Sequence, residues 1–188
     1  MTVFQNPGKE NTEAALRIAI HKAAELDTDL VLASVFGGSA LTALKLAREE
    51  GFQGRIIVVR SVSSIKQGGV NRLTDEVRSK LESEGAVIVT AAHALSAGER
   101  GISQRFQGVY PLELMAGTLR MLGAGLKVAA EVSIMALDAD AIRWGKPVVA
   151  LGGTGSGLDT AAVITPAYSA NILDTLIHEI LCKPGYYK

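Results

Sequence analysis

Four short apolar runs, Leu30 to Ala33, Ile56 to Val59, Ala86 to Val89 and Val148 to Leu151, constrain what this chain can fold into more than any other feature. They do not alternate between apolar and polar residues, so both faces of each are buried. Parallel strands covered by helices on both sides read this way. Helical patterns lie between them. Asn11 and Thr12 cap a segment in which Ala15, Leu16, Ala19, Ala23 and Leu26 recur at helical spacing. Leu41 to Glu50 forms a second that stops at Gly51, and Thr74 to Glu84 a third that ends at Gly85. Strands alternating with helices over short links predict an α/β class fold, a three-layer α/β/α arrangement around a mostly parallel sheet. A short first strand spans Thr2 to Gln5. The middle is helical, Leu112 to Leu122 and Leu126 to Ala141, parted by Gly123 and Gly125. From Ile172 to Lys183 the spacing fits a helix or an edge strand. With no repeat and no linker, residues 1–188 are expected to form one domain.

Composition narrows the function classes. Lys plus Arg and Asp plus Glu both number 19, without a basic stripe, so nucleic acid is not an expected partner. No apolar run approaches the ~20 residues of a membrane helix, and Met1 to Glu10 carries no apolar signal core. A single cysteine, Cys182, allows no internal disulfide, which together with the missing signal suggests a cytoplasmic protein. No Cys/His cluster has zinc spacing, so no metal is expected.

The unusual residues follow the strands. After Leu30 to Ala33 come Ser34, Val35, Phe36, Gly37, Gly38, Ser39 and Thr42, where glycines ahead of a helix let its free amides approach an anion. A plain strand-to-helix turn is the competing reading. After Ala86 to Val89 come His93, Leu95, Ser96, Arg100 and Arg105, which read as a long connection whose arginines suit a phosphate; here the alternative is a solvated loop. After Val148 to Leu151 come Gly152, Gly153, Thr154, Gly155, Ser156, Gly157, Asp159 and Thr160, with Asp159 as a helix cap in the plainer reading. Lys9 and Thr12 follow the first strand. Loops that begin where parallel strands end share one edge of the sheet, where open α/β sheets bind ligands.

Other polar residues carry less. His21 and His178 read as ordinary surface or core histidines. His93 and Asp159 are weak candidates for an acid or base, histidine being the side chain suited to proton transfer near neutral pH. Glu131, Asp138 and Asp140 lie in an apolar helix without a histidine at ligand spacing, which favours salt bridges and capping over metal.

From Asp29 to Ser34, the Gly37-Gly38-Ser39 turn, Thr42 to Leu46 and Arg55 to Val59, the chain resembles the opening of the pyruvate kinase C-terminal α/β domain. Its Pro7 to Thr12, His93 to Ser96, Arg100 to Ser103, Arg105-Phe106, Ala130-Glu131, Ile134 to Ala136, Gly152 to Thr154 and Asp159 to Ala161 are similar to segments of stand-alone, mostly archaeal relatives of that domain. The resemblance implies helices on both faces of the sheet, a strand from Thr175, and FMN as a ligand. Pyruvate kinase activity is not implied, because that enzyme's catalytic residues belong to a barrel domain this sequence lacks. The turn Val35 to Ser39 lacks the hydroxyl-rich pattern of the effector-binding enzymes, which argues against fructose bisphosphate. On this reading Gly37, Gly38, Ser39 and Thr42 hold phosphate, Arg105 or Lys9 balances its charge, and the ring rests near His93, Leu95 and Gly152 to Thr154. The alternatives are an enzyme acting on a phosphorylated small molecule, and a regulatory or assembly module in which the Leu112 to Ala141 helices form a homo-oligomer interface.

Overall fold

A computed structural model describes residues 1–64 and 68–185. Strand β1 (Thr2–Phe4) leads through a 3-10 turn into α1 (Thr12–Glu25) and β2 (Leu30–Ala33); α2 (Gly38–Glu49), β3 (Ile56–Arg60), α3 (Asp75–Ser83) and β4 (Ala86–Thr90) follow. Three consecutive helices, α4 (Ala97–Phe106), α5 (Pro111–Met121) and α6 (Ala124–Asp138), precede β5 (Val148–Gly152), β6 (Thr160–Thr165) and β7 (Leu176–Pro184). The seven strands run in the order β1-β7-β6-β5-β2-β3-β4. Only β6 is reversed: it pairs antiparallel with β5 and β7, while β1 and β7, β5 and β2, β2 and β3, and β3 and β4 are parallel pairs.

This order explains the layers. From β2 to β4 the chain steps across the sheet in one direction, then returns over it to place β5 on the other side of β2. Right-handed crossovers moving in opposite directions put their helices on opposite faces. Accordingly Leu16, Ile20, Ala43 and Leu81 of α1, α2 and α3 pack on Leu30, Leu32 and Val58 of one face. On the other, Leu126, Ala129, Met135 and Ala136 of α6 pack on Val31, Ile57 and Ala150. Among the described residues no helix is long and apolar enough to cross a membrane.

Local chemistry accounts for the helix ends. Thr74 Oγ1 accepts from the Val77 amide at 3.4 Å, and Asp75 and Glu76 sit at the positive end of the α3 dipole. Asn11 stands ahead of α1, but its side chain donates to the Asn6 carbonyl at 2.7 Å instead of capping.

Several expectations are corrected. The stretch ending at Phe106 is helix α4 from Ala97 onward, in spite of Gly98 and Gly101. Tertiary bonds tie it to α5: Ser103 Oγ donates to Glu113 at 2.6 Å and the Glu113 amide to Glu99 at 3.1 Å. Strand β6 lies where the sequence shows only the end of a glycine-rich turn, so Asp159 caps no helix. Gly125 lies inside α6, and the break falls at Gly123, with φ of +132°. The ambiguous tail resolves into a 3-10 segment, Ser169–Asp174, followed by strand β7. Of the helices between Leu112 and Ala141, α6 belongs to the core, buried from Gly125 to Leu137 except at Val128. Leu114 of α5 and Leu173 remain exposed around an apolar groove of about 350 Å³.

Candidate functional site

Because six strands point the same way, the turns after β1, β2, β3, β4 and β5 share one edge of the sheet. A cleft of about 750 Å³ opens there, over the ends of β2 and β3 and beside the turn after β5. That is where the strand order reverses, the usual ligand position in open α/β sheets. A second depression, about 540 Å³, lies at the opposite edge beside Asp27 and Asp29. There Asp29 already pairs with the Arg55 guanidinium, so the larger cleft is the stronger candidate.

One end of the cleft presents the unpaired backbone amides of a helix start. Gly37 adopts φ of +91°, and a Cβ there would sit 2.4 Å from Val77 Cγ1, so the turn into α2 admits only glycine. The first intrahelical bond runs from the Leu41 amide to the Gly37 carbonyl at 2.9 Å. The amides of Gly38, Ser39 and Ala40 thus have no acceptor within the helix. Gly38 and Ser39 line the cleft, together with the buried Ser34. Thr42 turns away, donating to the Gly38 carbonyl at 3.2 Å. Two arginines also line the cleft. Arg60, only 8% exposed, donates from Nε to Thr90 Oγ1 at 2.6 Å and from Nη1 to the Leu73 carbonyl at 2.9 Å. Arg72 lies 5.8 Å from the centre of the exposed Phe36 ring.

The turn between β5 and β6 is held by Asp159 and not loaded with catalytic groups. Asp159 is fully buried; its Oδ2 accepts from the Gly8 and Thr154 amides, both at 3.1 Å, and Oδ1 accepts from Thr160 Oγ1 at 2.9 Å. Thr12 Oγ1 accepts from the Leu158 amide at 3.0 Å. Those bonds take up the Asp159 carboxylate and the Thr160 hydroxyl, which the sequence marked as ligand contacts, and they clamp the turn after β1 to the turn after β5. Asp159 is therefore not placed as an acid or base. We expect Asp159→Asn to lower stability by about 1–2 kcal/mol, since one oxygen loses charge and one becomes a donor; urea unfolding at neutral pH measures it. The glycines here also serve packing. A Cβ on Gly152 would meet the Gly125 carbonyl at 2.2 Å, and one on Gly153 the Gly157 carbonyl at 2.0 Å. Gly153, Gly155, Ser156 and Gly157 do line the cleft.

The remaining wall is α6, presenting Val128, Glu131, Val132 and Met135. Glu131 is 1% exposed. One oxygen, Oε1, accepts from the Leu95 amide at 3.1 Å, and Oε2 accepts from Lys127 Nζ and faces His93 Nδ1 at 3.2 Å. Burial alone would push this carboxyl up, but the hydrogen bonds and charges of His93 and Lys127 outweigh it and hold it at about 2. Burial pulls the Lys127 ammonium down from its usual range, an effect that Glu131 partly offsets. An ionised carboxylate only accepts, so Nδ1 of His93 carries the proton. In the neutral ring Nε2 then holds the lone pair. His93 is half-exposed and lines the cleft.

Of the residues marked from sequence, the cleft gathers Ser34, Gly38, Ser39, His93 and Gly153, with Gly37 shaping its rim. It does not gather Lys9, Arg100 or Arg105: Lys9 and Arg100 are exposed and do not line it, and Arg105 lies 5.8 Å from the Phe106 ring. Leu95 and Ser96 are buried at the start of α4, and Leu95 faces the apolar groove. Sequence reasoning missed Arg60, Arg72 and Lys127 and gave Glu131 only a structural role. Two signals were available: Arg60 ends a strand, like the other turns, and Lys127 and Glu131 stand four apart on one helix face. No protein-family model matches this chain.

Proposed function

We propose that the cleft binds a phosphate-bearing, nucleotide-like small molecule, with FMN the first ligand to test, and that the chain is a stand-alone relative of the pyruvate kinase C-terminal α/β domain. One observation carries the reading: the free amides at the start of α2 and two arginines, Arg60 and Arg72, line the same cleft at the reversal of strand order. Amides and a helix dipole favour a phosphate, and a guanidinium pairs with it through two hydrogen bonds. The residues fit FMN in kind. Gly38, Ser39 and Arg72 would hold the phosphate, and Val128, Val132, Met135 and Phe36 give a flat ring an apolar surface. The volume suits a ligand of that size. Arg72 replaces Arg105 and Lys9 as the balancing charge in this assignment.

Titrating FMN with the protein while following flavin fluorescence is the direct test. Saturable quenching is expected, with affinity lowered about tenfold by Arg72→Ala, the worth of ~1.4 kcal/mol. An unchanged emission, with no rise in melting temperature at millimolar FMN, removes flavin from the reading. A bound ligand at a hundred times its dissociation constant would add about 2.7 kcal/mol of stability.

A further inference from the structure

We propose that the cleft is catalytic, with His93 Nε2 abstracting a proton next to the carbonyl of a phosphorylated substrate and Arg60 neutralising the resulting oxyanion. The inference rests on the phosphate-binding half of the function proposed above and does not need flavin.

Three features of one cavity carry it. His93 is held through Nδ1 by a carboxylate that is 1% exposed, so its free nitrogen has a defined tautomer and is half-open to the cleft. Glu131 is in turn held by Lys127 and the Leu95 amide, more support than a surface histidine needs. A buried Lys-Glu pair costs desolvation that well-packed apolar residues would avoid, so stability alone does not account for it. The second feature is Arg60, a cation fixed by Thr90 and the Leu73 carbonyl whose Nη2 has no protein partner among the described residues. The third is the start of α2, whose free amides would anchor a phosphate in the same cavity. A positioned base and a fixed cation together meet the needs of enolisation.

The step balances without a co-reactant. The carbon–hydrogen bond beside the carbonyl breaks, its proton goes to Nε2, and its electron pair forms the carbon–carbon double bond of an enolate whose oxygen faces Arg60. The imidazolium, facing Glu131, returns the proton to the same or the neighbouring carbon. His93 is the catalytic residue and Glu131 a positioning residue. The charged groups sharing the cavity are Glu131 of α6, Arg60 of β3 and Arg72 ahead of α3, with Lys127 behind Glu131.

The test incubates the protein with phosphorylated aldehydes and ketones of three to six carbons in heavy water. Loss of the proton beside the carbonyl is followed by NMR, and binding of each compound by thermal shift. Enzyme-dependent exchange is expected, slowed at least about 100-fold by His93→Gln, which keeps binding, and unchanged by His21→Gln at the exposed surface. Glu131→Gln, checked for folding by circular dichroism, should slow exchange. It should also shift the His93 ring 15N signals toward a mixture of tautomers, which a merely structural role would not do. Compounds that bind but do not exchange overturn the catalytic proposal and leave the anion cleft standing, as does exchange that survives His93→Gln. If none of these compounds binds, the catalytic proposal falls, while the FMN titration decides the anion cleft separately.

Discussion

Glu131→Gln is expected to lower the free energy of unfolding at neutral pH by about 3–5 kcal/mol, because it leaves the Lys127 ammonium buried without a counter-charge. Lys127 is 6% exposed and Glu131 1%, so water cannot substitute for the lost carboxylate. Glutamine keeps an oxygen for the Leu95 amide, which isolates the charge as the cause. Lys127→Met in the same chain should therefore recover most of the loss, the opposite of what two independent lesions would do. The effect also has a pH signature. The Glu131 carboxyl lies at about 2 in the folded protein against an ordinary 4.5. A depressed carboxyl stabilises the fold above the unfolded value and loses that contribution as pH falls through the folded one. The gap between wild type and Glu131→Gln should hold above pH 5 and narrow from about pH 4.5 toward 2. Urea unfolding at pH 7, 4 and 2.5 measures it, and a gap that does not change with pH would show that Glu131 acts by shape alone.

Gly125→Ala is expected to destabilise by about 2–3 kcal/mol, an overpacking cost, where the same change in an exposed helix would gain about 1 kcal/mol. Gly125 is in the first turn of α6, and a Cβ there would stand 2.2 Å from Thr160 Oγ1 and 2.8 Å from Asp159 Oδ1. Neither neighbour is free to move: Asp159 is bonded to Gly8 and Thr154, and Thr160 to Asp159. Either α6 shifts away from the sheet or the clamp between the turns after β1 and β5 opens. Both outcomes disturb the cleft wall that carries Glu131. A thermal melt gives the sign of the change, and the FMN titration gives its reach. Gly101→Ala in α4, where a Cβ would meet nothing within 4 Å, serves as the reference in which propensity alone acts.

The strands β2, β3 and β5 were legible because each is a short, doubly buried apolar run, a pattern that depends on burial and not on partners; β4 was legible as an apolar run although, as the edge strand, it is buried only at Ala86 and Val89. The two misread segments failed for a common reason. Helix α4 contains two glycines and is stabilised by Glu99 and Glu113 reaching across to and from α5. Strand β6, Thr-Ala-Ala-Val-Ile-Thr, is defined by pairing with β5 on one side and β7 on the other. In both cases the partner is a neighbouring element, Glu113 ten residues beyond Ser103 and Gly152 opposite Thr160, but local propensity does not report a bond made to another element.

The same division runs through the site. Glycine-bearing turns after parallel strands were visible as residues, and the direction of the strands was enough to assign them to one edge. Which of their side chains face a guest was not. Asp159, Thr12 and Thr42 look like ligand contacts until their hydrogen bonds are counted, and all three are spent on the protein's own backbone and side chains. Conversely, Glu131 and His93 are 38 residues apart and meet only because α6 crosses the sheet beside the end of β4. Sequence alone determined strands β2 to β5, the α/β class and the shared edge, since these follow from burial periodicity and chain direction. Only the three-dimensional structure decided which polar groups remain free, because a hydrogen-bonding group is available to a ligand only if no other part of the chain has already claimed it.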